Sequence, residues 1–513
     1  MIIEDIPKRN ARRYPDKVAL AFGNNRYTFR ELNERINSFA NALTNMGLKK
    51  GDTLAIVADN CNQYMELFWV AAKTGMVMAP LNPNLTQQEL AGLICNAGAK
   101  IVVFSQSYQN LIESLRSQVA GVQEYITIGA PVEGAKSYEE LVSSQPPLEP
   151  EVQTDDDDLL FVGSTGGTTG LSKQVMHTYR SILVTALEDI HASELKSRDV
   201  LLFAGPFFWA LALLRILVPG FYMGCSIGII QEFTPQCILQ AIEREGVSVL
   251  LSGTSSIYNL VGYPDLDKYD RSSLRRILAT GAPLPKEFWR RAVDTFGNIF
   301  TLLYGLCEFP HVSLLPPEDF VFEGSEEQTN KVRSCGREAT NTEVRVVDEQ
   351  GNDIQPGQVG EVIATSPCMM KGYLNAPRAT EETIKRGYVY TGDLATVDKD
   401  GYIYLTGRKK DVITTQGKML IPMEVEDVIY SHPEVFETVV IGVPDETLGE
   451  AIKAVVVLKK GGRATEKEII ELCQQHLPDY AVPKSVDFVE RLPRSPTTGK
   501  ILRRMLRDRY AEV

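Results

Sequence analysis

A loop of small, hydroxylated and basic residues is the stretch that most strongly indicates chemistry, and it runs from Ser164 to Lys173 with the sequence Ser-Thr-Gly-Gly-Thr-Thr-Gly-Leu-Ser-Lys. It follows the apolar run 159–162, which predicts a buried strand. Glycines let backbone N–H groups converge on an anion, while threonine hydroxyls add donors and a lysine adds charge. The spacing is not that of a P-loop. The sequence therefore predicts a phosphate-binding loop of another kind, and the alternative is an ordinary solvent-exposed loop.

Four further segments carry groups that could act with this loop: Thr280-Gly281-Ala282-Pro283, Tyr304-Gly305-Leu306-Cys307-Glu308, Tyr390-Thr391-Gly392-Asp393 with Gly407-Arg408, and Pro493 through Gly499-Lys500. The Glu308 carboxylate suits a hard cation such as Mg²⁺, although a glutamate at a strand end can also be plain surface. Tyr304 can stack on a flat ring or belong to the core. Asp393 alone would indicate turn chemistry, and Lys500 alone a basic tail. Each segment is weak by itself.

Composition limits the class of protein. A chain of 513 residues is too long for one compact core, so we expect at least two domains. Its net charge of −13 argues against nucleic acid or an anionic membrane as a partner. The eight cysteines are scattered without a Cys-x-x-Cys pair, which favours a reducing, cytoplasmic location without a disulfide framework or zinc site. Neither a signal peptide at the N-terminus nor a membrane span in the apolar window 206–230 is predicted, since Arg215 and Pro219 interrupt that window.

Helix and strand signals alternate from the start of the chain. Capping boxes begin at Thr28 and Thr86, and apolar runs predict strands over 54–57 and 101–104. Such alternation predicts an α/β fold with parallel sheets covered by helices. The stretch 131–158 is interpreted as a surface connection. Beyond Gly407-Arg408-Lys409-Lys410 the pattern predicts a small α+β domain, with a helix over 424–430, strands over 438–443 and 451–458, and a helix over 466–476.

Together and in this order, the five segments resemble the adenylate-forming superfamily of acyl-CoA synthetases, peptide-synthetase adenylation domains and luciferases, and the chain is most similar to a carboxylic acid–CoA ligase. The resemblance covers essentially the whole chain. It implies a large N-terminal AMP-binding domain of parallel and mixed sheets over 1–409, and a small mobile C-terminal domain over 410–513. It also implies a reaction that uses ATP, Mg²⁺ and coenzyme A to convert a small-molecule carboxylic acid into acyl-CoA, AMP and pyrophosphate. A homodimer stays open.

The resemblance implies roles for residues that match the family motifs. Lys500, Glu308, Thr165 and Lys173 would be catalytic, with Glu308 as the Mg²⁺ ligand and Lys500 reaching the carboxylate and the α-phosphate. The nucleotide site would comprise Thr165, Gly166, Gly167, Thr168, Thr169, Gly170, Lys173, Gly281, Ala282, Pro283, Tyr304, Gly305, Cys307, Glu308, Asp393 and Arg408, with Asp393 on the ribose and Tyr304 on adenine. Lys410 would be the hinge, Gly417 and Lys418 would face the coenzyme A tunnel, and the acyl pocket would include Trp209, Ala210, Gly253 and Thr254.

Three positions depart from the family pattern: Gly166 stands where serine is usual, Ser172 where proline is usual, and Cys307 where threonine is usual. Cys307 replaces a strong hydroxyl donor with a weak thiol. The charged residues of the motifs all remain, so an active enzyme is expected. The alternatives are a stand-alone enzyme that loads a carrier protein and a degenerate nucleotide-binding relative. An aromatic residue at Trp209 indicates a compact or cyclic acyl group or simple core packing, which leaves medium-chain, alicyclic and aromatic acids open.

Overall fold

The computed structural model describes residues 3–165, 172–209, 213–281, 284–494 and 501–511. Contacts between residues divide the chain into two compact units. Of the described residues, the first unit takes in 3–165, 172–209, 213–281, 284–344 and 364–389, and the second takes in 345–363, 390–494 and 501–511. Lys410 lies inside the second unit, in the turn Lys409–Asp411. The domain boundary and hinge at Lys410 stay a prediction.

The first unit contains a nine-stranded sheet among its described residues. Its strands lie in the order Arg337–Glu338, Ser313–Leu315, Phe300–Tyr304, Arg276–Thr280, Val249–Gly253, Val200–Ala204, Ser226–Ile229, Val18–Phe22 and Asn25–Thr28. The six strands from Phe300–Tyr304 to Val18–Phe22 are parallel to one another. Because parallel neighbours need crossover connections, helices cover this sheet, as the alternation of signals predicts.

A second, eight-stranded sheet lies in the described part of the same unit. Its order is Gly372–Tyr373, Gln174–Thr178, Leu159–Ser164, Val77–Pro80, Thr53–Val57, Ala99–Ser105, Glu124–Ile128 and Lys136–Ser137. The predicted strands over 54–57, 101–104 and 159–162 are confirmed here. Gln174–Thr178 runs antiparallel to both of its neighbours, so the edge of this sheet is mixed.

Among its described residues, the first unit contains the α-helices Asp5–Arg13, Phe29–Asn45, Asn62–Thr74, Gln87–Asn96, Gln109–Leu115, Tyr138–Ser143, Tyr179–Ser193, Val218–Met223, Pro235–Glu245, Thr254–Val261, Lys286–Phe296, Glu326–Asn330 and Pro377–Thr383. The capping boxes at Thr28 and Thr86 are both formed. The stretch predicted as a surface connection contains the short helix Tyr138–Ser143. Ser137 caps this helix, and Tyr138 is buried with its ring stacked on Phe39. A single buried aromatic residue thus anchors a segment that looks polar in sequence.

Two further sheets lie among the described residues. Strands Glu343–Val347, Gly360–Thr365, Tyr388–Val397 and Ile403–Arg408 form one, with the hairpin strand Ile384–Lys385 beside the start of Tyr388–Val397. The other contains Lys418–Leu420, Ile413–Thr415, Gly449–Leu458, Val435–Asp445 and Ser485–Phe488, and the helices are Pro422–Tyr430, Glu466–His476 and Arg503–Ala511. All the elements that the sequence predicts between 424 and 476 are therefore confirmed, and the fold is α/β as predicted.

No helix within the described residues is both long and apolar enough to cross a bilayer.

Candidate functional site

Four neighbouring parallel strands of the nine-stranded sheet end at one edge. They are Val200–Ala204, Val249–Gly253, Arg276–Thr280 and Phe300–Tyr304. Ligands of open α/β sheets bind at the carboxyl ends of the strands, where loops of different strands meet. Residues that the sequence predicted from separate motifs follow these four ends and are therefore neighbours in the fold: Trp209, Gly253, Thr254, Gly281, Tyr304 and Glu308.

The middle of this edge is built from glycines. Gly253 lies opposite Thr280 in the register of the two strands. A Cβ atom on Gly281 would lie 3.5 Å from Oγ1 of Thr254, and one on Gly253 would lie 3.9 Å from the carbonyl oxygen of Thr280. The two glycines contribute no side chains of their own to this part of the edge, and Oγ1 of Thr254 is the nearest atom to a Cβ built on Gly281. Ala282 and Pro283 lie outside the described residues.

Trp209 follows the strand Val200–Ala204. Its ring centroid lies 6.5 Å from that of Phe203, and its Nε1 is buried without a hydrogen-bond acceptor among the described residues. Asn60 holds the preceding turn, since its amide donates to the Gly205 carbonyl at 2.9 Å and its Oδ1 accepts from the Phe207 N–H at 2.8 Å. Asn60 carries no local sequence signal for this role. Ala210 lies outside the described residues.

The loop after Phe300–Tyr304 folds back on itself. Leu306 and Phe309 exchange backbone hydrogen bonds of 2.9 and 3.2 Å, and a Cβ atom on Gly305 would overlap the Pro310 carbonyl. Gly305 is thus required by the close approach of backbone to backbone. This turn places Cys307 and Glu308 next to the end of the strand. The Cys307 side chain packs against a small apolar cluster of Val175, Met370 and Tyr373.

His177 fastens this loop to the second sheet. Its Nε2 lies 2.9 Å from the Cys307 carbonyl oxygen, and its Nδ1 lies 3.4 Å from Oγ of Ser181. Burial lowers the pKa of His177 to about 4, against the opposing effect of its hydrogen bond to Cys307. The imidazole is therefore neutral at pH 7 and donates its Nε2–H to the carbonyl.

The two ends of the predicted phosphate loop meet. The Thr165 N–H donates to the Lys173 carbonyl at 2.9 Å, and the Lys173 N–H donates to Oγ1 of Thr165 at 3.2 Å. These bonds close the base of the loop, and Lys173 itself is exposed. The residues within the loop that the sequence assigned to phosphate, Gly166, Gly167, Thr168, Thr169 and Gly170, lie outside the described residues.

Tyr373 contacts both Lys173, at the base of the loop, and Glu308. Its hydroxyl donates to Oε1 of Glu308 at 2.7 Å, and the Nζ atom of Lys173 lies 4.5 Å from the centroid of its ring. Burial, followed by the charge of Glu308, raises the pKa of Tyr373, so the hydroxyl keeps its proton and remains a donor. Sequence reasoning missed this tyrosine because it lies 65 positions from Glu308 and in no recognised motif.

The surroundings of Glu308 fit a magnesium ion. Among the described residues its carboxylate pairs with a neutral hydroxyl and forms no ion pair, so its charge is not already balanced there. No group of three or more His, Cys, Asp or Glu side chains in the described part of the chain could hold a metal. Magnesium commonly takes one or two protein carboxylates and completes its shell with phosphate oxygens and water. Glu308 is one carboxylate beside a loop that the sequence predicts to bind phosphate, and it would meet that requirement.

Asp393 and Arg408 face each other in the second unit. They occupy directly opposite positions on the antiparallel strands Tyr388–Val397 and Ile403–Arg408, and Nε of Arg408 lies 2.5 Å from Oδ1 of Asp393. The aspartate side chain is 8% exposed and the arginine side chain 39%. Glu361 accepts from the Gly392 N–H at 3.2 Å and from Lys409 Nζ at 2.9 Å, which fixes both strands around the pair. Residues of two separate predicted motifs are therefore paired in the structure.

Gly417 and Lys418 lie in the hairpin of Ile413–Thr415 and Lys418–Leu420. Gln416 and Gly417 have φ values of +52° and +71°, as a two-residue turn of this kind requires. A Cβ atom on Gly417 would meet no heavy atom within 4 Å. Nζ of Lys418 lies 4.3 Å from the ring centroid of Tyr480. Lys500, the predicted catalytic lysine, lies outside the described residues.

Comparisons with known proteins agree with this architecture. Residues 7–374 match the family described as AMP-binding enzyme, and residues 424–500 match the AMP-binding enzyme C-terminal domain. A feruloyl-CoA synthase from an Amycolatopsis species is 32% identical over 98% of this chain and 98% of its own length. The long-chain-fatty-acid–CoA ligase FadD13 of Mycobacterium tuberculosis is 32% identical over 95% of this chain and 93% of its own. The crystal structure of ATP-bound MatB from Rhodopseudomonas palustris is similar with a TM-score of 0.88 and 27% identity, covering 99% of both chains.

Proposed function

This chain belongs to the AMP-binding enzyme family and is an acid–thiol ligase, and from that premise we propose that it activates a carboxylic acid with ATP as an acyl-adenylate and transfers the acyl group to coenzyme A. The observation that carries the proposal is the convergence of Lys173, Tyr373 and Glu308 beside the carboxyl ends of the parallel strands. A cation for phosphate and a carboxylate for Mg²⁺ thus lie on either side of one ring.

In the first step a carboxylate oxygen attacks the α-phosphorus of ATP, and the bond to the bridging oxygen of pyrophosphate breaks. Such a reaction depends on positioning and charge neutralisation more than on covalent help from the protein. Lys173 and the backbone of the loop closed by Thr165 would bind the β- and γ-phosphates and stabilise the departing pyrophosphate. Glu308 would hold Mg²⁺, which supplies further charge neutralisation on the phosphate oxygens when bound. Lys500 would favour the negative charge that develops between the carboxylate and the α-phosphate.

Other residues are candidates for binding the adenine base and the ribose of ATP. Tyr304 and the exposed backbone around Gly281 offer a flat, uncrowded surface for adenine. In the second unit, the Asp393 carboxylate would accept hydrogen bonds from the ribose hydroxyls while Arg408 holds it in place. A carboxylate accepts hydrogen bonds, and the ribose hydroxyls can donate them.

In the second step the sulfur of coenzyme A attacks the acyl carbon, the bond to the AMP oxygen breaks, and the thiol proton leaves to solvent. We assign Gly417 and Lys418 to the approach of the thiol. Pantetheine needs an unobstructed path, and Gly417 presents no side chain on the outside of its turn.

We propose an aromatic, alicyclic or medium-chain acid as the substrate. The relatives named above act, by their names, on an aromatic acid and on long-chain fatty acids. In this chain Trp209 lies beside Phe203, after the end of the strand Val200–Ala204, where we place the acyl pocket. Two aromatic rings there favour a flat or compact apolar group over an extended chain. Gly253 and Thr254 would complete the wall. A cytoplasmic location and a homodimer stay predictions.

A panel of carboxylic acids tests the proposal. Acid-dependent exchange of labelled pyrophosphate into ATP measures the first step, and AMP release with either coenzyme A or a carrier protein measures the second. We expect exchange with one class of acid and AMP release that coenzyme A stimulates. Release stimulated by the carrier protein alone would contradict the coenzyme A assignment, and absence of exchange with every acid would contradict adenylation.

A further inference from the structure

The short strand Gly372–Tyr373 places one tyrosine between two predicted motifs. It pairs antiparallel with Gln174–Thr178, and Tyr373 lies opposite Val175. Side chains two positions apart on a strand share a face, so Lys173 projects on the same side as Val175 and reaches diagonally over the tyrosine ring. The 4.5 Å separation of Nζ from the ring centroid is that of a cation–π contact.

The segment 370–373, which includes this strand, contacts Glu308 at two points. The Met370 N–H donates to the Glu308 carbonyl at 2.9 Å, while the Tyr373 hydroxyl donates to Oε1 at 2.7 Å. Tyr373 is itself fixed, because it is 5% exposed and its N–H donates to Oγ1 of Thr380 at 2.9 Å. Backbone and carboxylate of the glutamate are therefore both set by residues 370–373.

We propose that Tyr373 is a positioning residue that orients the Glu308 carboxylate toward Mg²⁺ and holds the Lys173 ammonium beside it. The inference rests on the proposed function. A neutral hydroxyl uses one lone pair of Oε1 and leaves Oε2 and the full negative charge to the metal, whereas an arginine or lysine in its place would compete with the ion. Hydrogen-bond partners of this kind orient metal-ligating carboxylates, and losing one typically lowers metal affinity about 10- to 100-fold.

The substitution Tyr373→Phe isolates the hydroxyl. It keeps the ring beneath Lys173 and the packing of the apolar cluster. Tyr138→Phe is the matched control, because the Tyr138 hydroxyl is also buried and also donates to a glutamate carboxylate, Oε2 of Glu66 at 3.0 Å. The two variants lose the same chemical contact in the same unit, and only one of these contacts involves the candidate metal ligand.

Two measurements report how each substitution changes the dependence on Mg²⁺. The first is the Mg²⁺ concentration at which ATP raises the thermal unfolding midpoint by half its maximal shift, with EDTA as the metal-free reference. The second is the Mg²⁺ concentration for half-maximal pyrophosphate exchange. We expect Tyr373→Phe to raise both by about 10-fold or more, with the KM for the acid changed less, and Tyr138→Phe to leave both at the wild-type value. In a Glu308→Gln background, Tyr373→Phe should have little further effect on the thermal measurement, because the two residues act as a unit.

The outcomes separate this inference from the proposed function. A Tyr373→Phe protein with the wild-type Mg²⁺ midpoint in the thermal measurement would overturn the positioning role. Equal shifts in Tyr373→Phe and Tyr138→Phe, or full additivity with Glu308→Gln, would overturn it as well, since both indicate a purely structural contribution. A different result would contradict the proposed function alone. In that case ATP would stabilise the protein with the expected dependence on Mg²⁺, but no acid would support pyrophosphate exchange.

Discussion

Replacing His177 by glutamine should remove a specific part of the acid sensitivity of the first unit. The imidazole is buried, and its pKa of about 4 lies below the ordinary histidine value of 6.5. Between pH 4 and pH 6.5 the histidine is mostly protonated in the unfolded chain and mostly neutral in the folded chain. Stability contributed by the neutral ring is therefore fully present above pH 6.5 and is lost as the pH falls toward 4.

The magnitude follows from the two pKa values. Each unit of difference corresponds to about 1.36 kcal/mol, so a difference of about 2.5 units gives a loss of about 3 kcal/mol between pH 7 and pH 4. Glutamine is the appropriate replacement because its amide can still donate to the Cys307 carbonyl but does not titrate. The free energy of unfolding of wild type minus that of His177→Gln should accordingly fall by about 3 kcal/mol over this range.

Tryptophan fluorescence during urea unfolding is a suitable assay, because the three tryptophans, Trp69, Trp209 and Trp289, all belong to the first unit. The measurement is repeated at half-unit steps from pH 7 to pH 4. His191→Gln serves as the control, since His191 is exposed on the helix Tyr179–Ser193 of the same unit. Effects of His311, whose pKa is also lowered by burial, cancel because every variant retains it.

A wild-type minus variant difference that stays constant within about 1 kcal/mol from pH 7 to pH 4 would refute the reasoning. So would a difference of the same size and direction in His191→Gln, because the loss would then not depend on burial of the ring.

Three further changes test other parts of the structure. Arg215→Ala leaves the Asp189 carboxylate buried without its 2.8 Å partner and should cost about 3–5 kcal/mol by urea unfolding, whereas Arg30→Ala, which breaks an exposed pair with Asp16, should cost less than about 1 kcal/mol. Lys500→Ala should impair pyrophosphate exchange but not transfer from a preformed acyl-adenylate, and Gly417→Leu should do the reverse; Gly417→Asn, which tolerates the positive φ, separates blockage by the side chain from distortion of the turn. Cys307→Thr should preserve or raise the exchange rate because a hydroxyl donates more strongly than a thiol, and a large loss with the fold intact would reveal a specific role of the thiol.

Local physics made the elements predictable. Thr28 and Thr86 each precede a glutamate by three positions, which is sufficient to start a helix because both partners of the capping box lie within one turn. The apolar runs at 54–57 and 159–162 predict strands for an equally local reason. The helix Tyr138–Ser143 was not predicted, because Tyr138 is held by stacking on Phe39, and these two residues are 99 positions apart in the sequence.

The site was predictable only where a motif is contiguous. Asp393 and Arg408 were named together because their motifs resemble those of a known family, and the structure places them opposite each other on paired strands. Their role at the ribose stays a prediction. Asn60, His177 and Tyr373 were missed, since each acts on a loop that is distant in sequence and none has a local pattern that distinguishes it from core. Gly417 has a second reason to be glycine that the sequence did not reveal. The family resemblance implies space for a thiol, and the structure adds that the turn requires a positive φ at this position.

Charge explains why a neutral residue stands between Lys173 and Glu308. A chain with a net charge of −13 repels a polyphosphate at long range, so it must bind ATP with local groups. If Lys173 and Glu308 formed a direct ion pair, each would satisfy the other and both would have to be separated before a phosphate or Mg²⁺ could bind. Tyr373 instead offers the lysine its ring face and the glutamate its hydroxyl, and it neutralises neither. In the proposed reaction the two charges would thereby be held in place while remaining available to partners of opposite sign, a phosphate for the lysine and a divalent cation for the carboxylate.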